Sequence, residues 1–215
     1  MTDFHDLMRP LATGAEALDL ALDAATLHVL LDYLALLDKW NKVFNLTAVR
    51  SPREMLSHHL LDSLAVEPHL HGVRIIDVGS GPGLPGIPLA VVSPERRFTL
   101  LDSNGKKARF MRQAVIDLGL SNVEVLHERV ENYRPEEGFD TVISRAFSAI
   151  ADFVTLAGPL CRQGGRLLAM KGRYPEEELS ALPAGYAVAA VHRLVVPELD
   201  AERHLVEITK EASRT

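Results

Sequence analysis

The chain has 215 residues, of which 47% are hydrophobic, and this length fits one α/β domain with an added helical segment. The formal net charge of −6 does not indicate general nucleic-acid binding, so binding to RNA would require a local basic patch and would be salt-sensitive. The single cysteine, Cys161, excludes an internal disulfide and fits a reducing cytosol, and no apolar run is long enough to span a membrane. The N-terminus also lacks a signal peptide's basic segment, so we expect a cytoplasmic protein.

Residues 1–70 are predicted to form helices. An apolar stripe at helical spacing is expected to pack on the rest of the protein rather than to bind a partner. It comprises Leu18, Ala21, Leu22, Ala25, Leu27, Leu30, Leu31, Leu34 and Leu37. Pro52 begins a further predicted helix, in which His59 and Asp62 are three residues apart and therefore share a face.

From Val73 onward, predicted strands alternate with predicted helices, which indicates a parallel sheet covered by helices on both faces. The strands are predicted at 73–78, 97–102, 122–127, 139–144 and 164–170, and the helices at 85–92, 104–118, 148–161 and 175–182. Two further strands, at 186–196 and 203–209, are separated by a connection too short for a helical crossover, so they should pair antiparallel. Five parallel strands followed by such a hairpin are typical of class I methyltransferases, whereas a dehydrogenase would usually continue with another βαβ unit.

A glycine-rich turn follows the first strand, in the sequence IIDVGSGPGLPGIPLA. Residues 81–86 match the dinucleotide-binding pattern G-x-G-x-x-G, which is weak evidence when taken alone. Asp77, Asp102 and Glu131 lie near the ends of successive strands, and three carboxylates suit an amine, a ribose diol and a positive centre better than a pyrophosphate. S-adenosylmethionine has these features and no phosphate. The alternative is a plain connection whose carboxylates only cap helices.

Three stretches, DVGSGPGLPGIPLA, LLDSNGKKARF and KWNKVFNLTAVR, together resemble the bacterial 16S ribosomal RNA guanine-N7 methyltransferases, the glucose-inhibited division protein B family. The resemblance extends from about Trp40 to about Ile208. It implies a class I S-adenosylmethionine-dependent methyltransferase with a Rossmann-like seven-stranded sheet whose last strand is antiparallel. Residues 1–70 would pack on the methyltransferase domain, residues 71–215, and contribute to the RNA surface. The implied reaction methylates N7 of a guanine in the decoding-region loop of 16S rRNA, either as bare RNA or within the small subunit, without a metal or a membrane.

The resemblance also implies site residues. Those expected to bind the cofactor are Gly79, Gly81, Leu84, Asp102, Ser103, Val130, Glu131 and Arg145. Those expected near the RNA are Asn45, Arg129, Lys171 and Arg203. The family more often has alanine at the position of Val130. His59 and Asp62, with Asn45 and Thr47, match the family pattern NLT…HxxDS, which either contributes to the RNA surface or only anchors the helices.

The predicted reaction needs positioning rather than proton transfer, because guanine N7 carries a free lone pair. The fourth strand is followed by Arg145-Ala146-Phe147 and not by the Asn-Pro-Pro-Tyr type of motif found in amino methyltransferases. Cys161 is expected to be buried and not to act as a nucleophile. Arg145 would position a phosphate, guanine O6 or the cofactor's carboxylate, since a cation beside N7 opposes the charge that develops there. Its alternative role is an ion pair with a site carboxylate.

Three other functions compete with this prediction. They are a class I methyltransferase for a small molecule, a nicotinamide-dependent Rossmann enzyme and an inactive RNA-binding module. The cluster of Lys106, Lys107, Arg109 and Arg112 is either a solvated helix face or a contact for an RNA backbone. The helix dipole disfavours cations so early in a helix, which makes the second role worth testing.

Overall fold

The computed structural model describes residues 4–211, so predictions that fall on residues 1–3 and 212–215 lie outside the described residues. The N-terminal segment is mainly helical, as predicted. It contains α1 (Met8–Ala17), α2 (Ala24–Phe44), α3 (Pro52–Met55), a π-helical turn (Leu56–Leu61) and α4 (Asp62–Leu64), with 3-10 turns at His5–Leu7 and Glu67–His69. Asp23 sets the start of α2, because its side chain accepts a hydrogen bond from the Thr26 amide.

Seven strands form one sheet in the order β3-β2-β1-β4-β5-β7-β6. They are β1 (Arg74–Val78), β2 (Arg97–Asp102), β3 (Val123–His127), β4 (Phe139–Ser144), β5 (Cys161–Lys171), β6 (Tyr186–Arg193) and β7 (His204–Lys210). The first five strands pair in parallel, and β7 is antiparallel to both β5 and β6. This confirms the predicted arrangement of a parallel sheet followed by an antiparallel hairpin. The remaining helices are α5 (Gly86–Val92), α6 (Gly105–Asp117), α7 (Ile150–Ala157) and α8 (Glu176–Leu179).

Alternating residues of β1 contribute to two hydrophobic cores on the two faces of the sheet. Ile75 packs with the N-terminal helices, α5 and α6, whereas Ile76 and Val78 pack with α7. The carboxyl ends of β1–β4 therefore meet at one edge, between layers of helices. The chain places β2 and β4 on opposite sides of β1, and in open α/β sheets such a reversal of strand order forms the ligand crevice.

Four predicted elements differ from the structure, one of which is the strand predicted at 186–196, which ends at Arg193. Residues 18–23 connect α1 to α2 and are not helical, because the cap of α2 starts a new helix there. The helix predicted at 148–161 is shorter, and Cys161 is the first residue of β5. The helix predicted at 175–182 is a single turn, Glu176–Leu179. Cys161 is buried, as predicted, and burial raises the pKa of its thiol to about 11.

The N-terminal helices contact the glycine-rich turn directly. The Tyr33 hydroxyl of α2 donates a buried hydrogen bond of 2.9 Å to the carbonyl of Pro82. Gly14 of α1 lies against Leu61 so closely that an added Cβ would be 2.7 Å from a leucine methyl group. These helices share one hydrophobic core with α5 and α6, while a domain boundary after residue 70 stays a prediction. Among the described residues, no helix is long and apolar enough to cross a membrane.

We expect Gly86→Ala to destabilise the protein, because its Cβ would lie 2.2 Å from the Leu100 side chain and 2.9 Å from the Asp77 carboxylate. Overpacking of this kind costs about 1–3 kcal/mol. Urea unfolding followed by circular dichroism would measure the loss. Gly172→Ala is the control, because an added Cβ there meets no atom within 4 Å. Equal stability of the two variants would contradict the close packing at Gly86.

Candidate active site

A cavity of about 410 Å³ lies at the carboxyl edge of the sheet, a volume within the range of small-molecule sites. It is built from the residues that end or follow β1, β2, β3 and β4. The lining residues are Val78, Gly79, Leu101, Asp102, Ser103, Asn104, Lys107, Glu128, Arg129, Val130, Glu131, Ala146 and Phe147. Five residues predicted to bind the cofactor therefore line one cavity: Gly79, Asp102, Ser103, Val130 and Glu131. Arg129, which was predicted to lie near the RNA, lines it as well.

The glycine-rich turn forms one wall of this cavity. Gly79 adopts a φ of +72°, and an added Cβ would lie 2.6 Å from that of Ala146, so only glycine fits there. Gly81 also has a positive φ, of +60°. Gly81 and Leu84 are buried behind this wall and are not among the lining residues, so any contact that they make with the cofactor stays a prediction.

Asp77 lies beneath the turn and does not face the cavity. Its Oδ2 accepts a hydrogen bond of 2.9 Å from the Gly86 amide, and its Oδ1 is buried without a partner. Burial raises the pKa of Asp77 to about 7, although the Gly86 hydrogen bond and the charge of Arg145 oppose that rise. The interpretation that three carboxylates surround the ligand is therefore corrected, because Asp77 supports the turn instead.

Asp102 is positioned by the backbone on both sides of the cavity. Its Oδ2 accepts from the Gly81 amide at 2.8 Å, and its Oδ1 accepts from the Asn104 amide at 2.7 Å. Each carboxylate oxygen has a further lone pair, so the group can also accept hydrogen bonds from a diol. The Asp102 carboxylate can therefore accept hydrogen bonds from the ribose hydroxyls of S-adenosylmethionine, and Gly79, which has no side chain, leaves room beside it.

The segment after β3 supplies the third side of the cavity. Glu131 is exposed and receives a hydrogen bond of 3.3 Å from Arg129. Its own backbone amide is the main cause that lowers the pKa of Glu131, and the Arg129 hydrogen bond adds to it. Val130 packs on the core that contains α7 and also lines the cavity, so this core helps to fix that side of the cavity.

Arg145 and Arg203 share one buried carboxylate, Asp62. The Asp62 Oδ2 lies 3.1 Å from a terminal nitrogen of Arg145, and its Oδ1 lies 2.8 Å from Nε of Arg203. The same Arg145 nitrogen also donates to the carbonyl of His58. The alternative role predicted for Arg145, an ion pair, is therefore observed, although its partner comes from the N-terminal helices. Arg145 does not line the cavity, but the next residue, Ala146, does.

The NLT…HxxDS residues form a hydrogen-bond network near this ion cluster. The Thr47 hydroxyl lies 3.0 Å from Nε2 of His59, and the Thr47 amide donates to the side chain of Asn41. Burial is the main cause that lowers the pKa of His59 to about 4, and the Arg145 charge lowers it further. Asn45 ends α2 with a φ of 52° and accepts a hydrogen bond from Arg50. The network anchors the helices, and an RNA contact by Asn45 stays a prediction.

Lys171, which was predicted to contact RNA, is engaged within the protein. Its ammonium group donates to the carbonyl of Ser148 at 2.6 Å and lies 2.8 Å from the Glu178 carboxylate. The same Glu178 oxygen, Oε2, also accepts a hydrogen bond from the amide of Ile150, at the start of α7. In this conformation Lys171 holds α7 and α8 together, and its contact with RNA stays a prediction.

Sequence analysis did not assign several lining residues, among them Asn104, Glu128, Ala146 and Phe147. Asn104 could have been found, because an asparagine directly before a helix is a typical N-cap. Its side chain indeed accepts hydrogen bonds from the amides of Lys106 and Lys107. Within residues 4–211, no cluster of three or more metal-binding side chains occurs.

The sequence matches the family model described as rRNA small subunit methyltransferase G over residues 26–206. The chain belongs to this family. Three relatives, each named Ribosomal RNA small subunit methyltransferase G, come from Nitrosococcus oceani, Pseudomonas paraeruginosa and Nitrosospira multiformis, and they are 54%, 55% and 56% identical to this chain. The alignments cover 92–94% of this chain and 92–96% of the relatives.

Solved structures show the same fold at low sequence identity. TrmN from Thermus thermophilus has a TM-score of 0.57 and 20% identity, covering 73% of this chain and 53% of its own. A methyltransferase from Geobacter sulfurreducens, in complex with S-adenosyl-L-homocysteine, has a TM-score of 0.54 and 12% identity, covering 82% and 98% of the two chains. The predicted class I fold, the methyltransferase activity and S-adenosylmethionine as the cofactor are thereby confirmed.

The raised pKa of Asp77 predicts a pH-dependent contribution to stability. A carboxyl group whose pKa increases from 3.8 to about 7 on folding stabilises the protein fully below pH 3.8 and loses this contribution as the pH rises through 7. Asp77→Asn cannot titrate, so its free energy of unfolding relative to wild type should increase between pH 4 and 7 by up to about 4 kcal/mol. Urea unfolding across this range would measure the difference. Parallel stability curves would contradict the assignment.

The shared ion pair predicts that Asp62→Asn destabilises the protein. Breaking a buried pair costs about 3–5 kcal/mol, and we expect about 1–3 kcal/mol here because both guanidinium groups keep some contact with water. The side chains of Arg145 and Arg203 are 30% and 21% exposed, and that of Asp62 is 2% exposed. Glu137→Gln is the control, since it breaks a pair with Arg74 in which the glutamate side chain is 75% exposed and which should contribute well under 1 kcal/mol. Similar urea midpoints for both variants would contradict the prediction.

Proposed function

We propose that this protein transfers a methyl group from S-adenosylmethionine to N7 of a guanine in the decoding-region loop of 16S ribosomal RNA, in the cytoplasm. Family membership supports small-subunit rRNA as the substrate. The observation that supports N7 is the chemistry of the cavity: its lining contains no histidine, cysteine or tyrosine among the described residues. The acidic and basic groups of the lining are Asp102, Glu128, Glu131, Lys107 and Arg129, of which Asp102 is held by backbone amides and Glu131 by Arg129. Guanine N7 has no proton to remove, so the reaction needs none of them as a general base.

The cofactor, when bound, supplies a methyl group on a positively charged sulfur. Asp102 would orient it by accepting from the ribose hydroxyls, while Gly79 leaves space for its close approach. Fixed orientation of the reacting atoms can contribute about 7–11 kcal/mol to lowering the barrier. The protein's main contribution is therefore to hold the acceptor nitrogen in line with the methyl group.

Arg145 and Arg203 would position an anionic group of the substrate or cofactor, and their pairing with Asp62 limits the positive charge that they bring near the purine. Asp62 neutralises one of the two positive charges. Nε and the second terminal nitrogen of Arg145 have no hydrogen-bond partner among the described residues, so they are free to donate to a phosphate, to O6 or to a carboxylate. The N-terminal helices hold this cluster through Asp62, which supports a contribution of that segment to the RNA surface.

The first test is methyl transfer from tritiated S-adenosylmethionine to 16S rRNA from cells that lack this protein, offered as bare RNA and as assembled small subunits. Digestion to nucleosides should place the label in 7-methylguanosine. Asp102→Ala should reduce the rate and weaken cofactor binding, because a hydrogen bond to a charged group contributes about 1.5–3 kcal/mol, or roughly 10- to 150-fold.

The other outcomes separate the alternatives. Label in a different nucleoside would contradict methylation at N7 but keep the enzyme class. Wild-type protein that binds the cofactor and labels neither form of the RNA would favour a small-molecule acceptor. Cofactor binding is measured by calorimetry in the same samples, so an inactive preparation is recognised as such.

A further inference from the structure

An open groove of about 920 Å³ lies beside the cofactor cavity. Its walls are the end of α2, at Phe44, the outer face of α6 and the end of β3, at His127. Ser103 and Asn104 line both the groove and the cavity, so the two spaces adjoin each other. A chain lying in the groove would therefore lead directly to the site of methyl transfer.

The groove carries positive charge that the protein does not neutralise. Lys106, Arg109 and Arg112 line it, all three are exposed, and none has a carboxylate within 4.0 Å among residues 4–211. Arg129, Arg145 and Arg203, around the neighbouring cavity, are all ion-paired. The chain as a whole carries a charge of −6, so an unpaired cationic surface is a local departure from its composition.

Stability of the helix does not explain the cation at Lys106. Lys106 lies in the first turn of α6, where the helix dipole favours negative charge. An acidic side chain at that position would suit the fold better. Binding of an anionic ligand would account for the cation at Lys106, whereas the stability of the fold does not.

An aromatic ring faces the same groove. Phe44 is only partly buried, and its ring centroid lies 5.2 Å from that of Trp40, which supports it from behind. Cationic side chains along a backbone track, together with an aromatic ring on which a base can stack, are the two components of single-stranded nucleic-acid sites. A polyanion without bases would not need the ring.

We propose that this groove binds a single-stranded segment of the RNA substrate, next to the nucleotide that is methylated. Lys106, Arg109 and Arg112 contact successive phosphates, and Phe44 stacks on one base. The groove thus guides the strand into the cavity, where the target guanine leaves its stack. This inference rests on the proposed function and assigns its substrate to a particular surface.

The test compares single charge reversals that change the net charge equally. Lys106→Glu and Arg109→Glu remove groove cations, whereas Arg97→Glu changes an exposed arginine at the start of β2, on the opposite edge of the sheet. Fluorescence anisotropy would measure the affinity for a labelled single-stranded oligoribonucleotide at several salt concentrations. Each groove variant should weaken binding about fivefold or more at 0.1 M salt and reduce the slope of log K against log salt by about 0.7.

Two further measurements exclude trivial causes. The melting temperature of Lys106→Glu should be unchanged or higher, because the helix dipole favours the glutamate. Cofactor affinity should be unchanged in both groove variants.

Phe44→Leu should weaken binding of the oligoribonucleotide but not of inorganic polyphosphate, which has no base to stack.

The groove assignment is overturned if Lys106→Glu and Arg109→Glu have the same RNA affinity and salt slope as Arg97→Glu. Equal effects of Phe44→Leu on RNA and polyphosphate would overturn the stacking role. Methyl transfer by the wild-type enzyme to the 16S rRNA is measured in parallel. Active wild-type enzyme with unaffected groove variants contradicts only the groove, whereas an enzyme that methylates no RNA contradicts the proposed function itself.

Discussion

The site depends on two aspartates that hold the glycine-rich turn through its backbone amides. Asp77 accepts from Gly86 at the start of α5, and Asp102 accepts from Gly81 within the turn. Glycine allows the positive φ angles and close approach of this segment, but it also gives the unfolded chain more freedom, so the folded turn needs fixed partners. The two carboxylates provide them, and Asp102 also lines the cavity.

The N-terminal helices complete the same site from the other side. Tyr33 binds the turn at Pro82, and Asp62 binds Arg145 and Arg203, which lie before and after the long stretch from β5 to β6. A buried carboxylate is costly to desolvate, and two guanidinium groups with additional hydrogen bonds offset this cost. The helical segment is therefore joined to the catalytic edge by polar contacts as well as by its leucine core. Its removal would expose the arginines and release the turn.

Much of the fold could be predicted because it depends on local sequence. The first four strands end within one residue of the predicted limits, because short β-branched and apolar runs are bounded there by aspartate, glycine or serine. The rule that parallel strands open a site at their carboxyl ends was enough to bring Gly79, Asp102 and Glu131 together. The helix predicted across residues 18–23 was wrong, since the cap at Asp23 outweighed the apolar spacing.

The other features of the site depend on tertiary contacts, which the spacing of residues in the sequence does not predict. The register of β1 and β2 pairs Asp77 with Leu100, so Asp77 and Asp102 lie on the same face of the sheet. Asp77 is nevertheless covered by the turn at Gly86, whereas Asp102, two positions nearer the carboxyl ends of the strands, lines the cavity. Asp62 lies 83 residues from Arg145 and 141 from Arg203, so their pairing needs the tertiary fold. Lys106 and Lys107 are neighbours in sequence, but successive residues point in different directions from a helix, and only Lys107 lines the cavity.

Asn104 connects these two surfaces physically. Its amide donates to Asp102 on the floor of the cofactor cavity, and its side chain accepts from the first amides of α6. The start of the cationic helix is thus fixed by the same residue that positions the Asp102 carboxylate. Asn104 hydrogen-bonds both to Asp102 and to the first amides of α6. A shift of α6 would therefore move Asp102, and a displacement of Asp102 would move the start of α6. The geometry of the cofactor site and that of the groove beside it are therefore set together, as a reaction between two bound molecules requires.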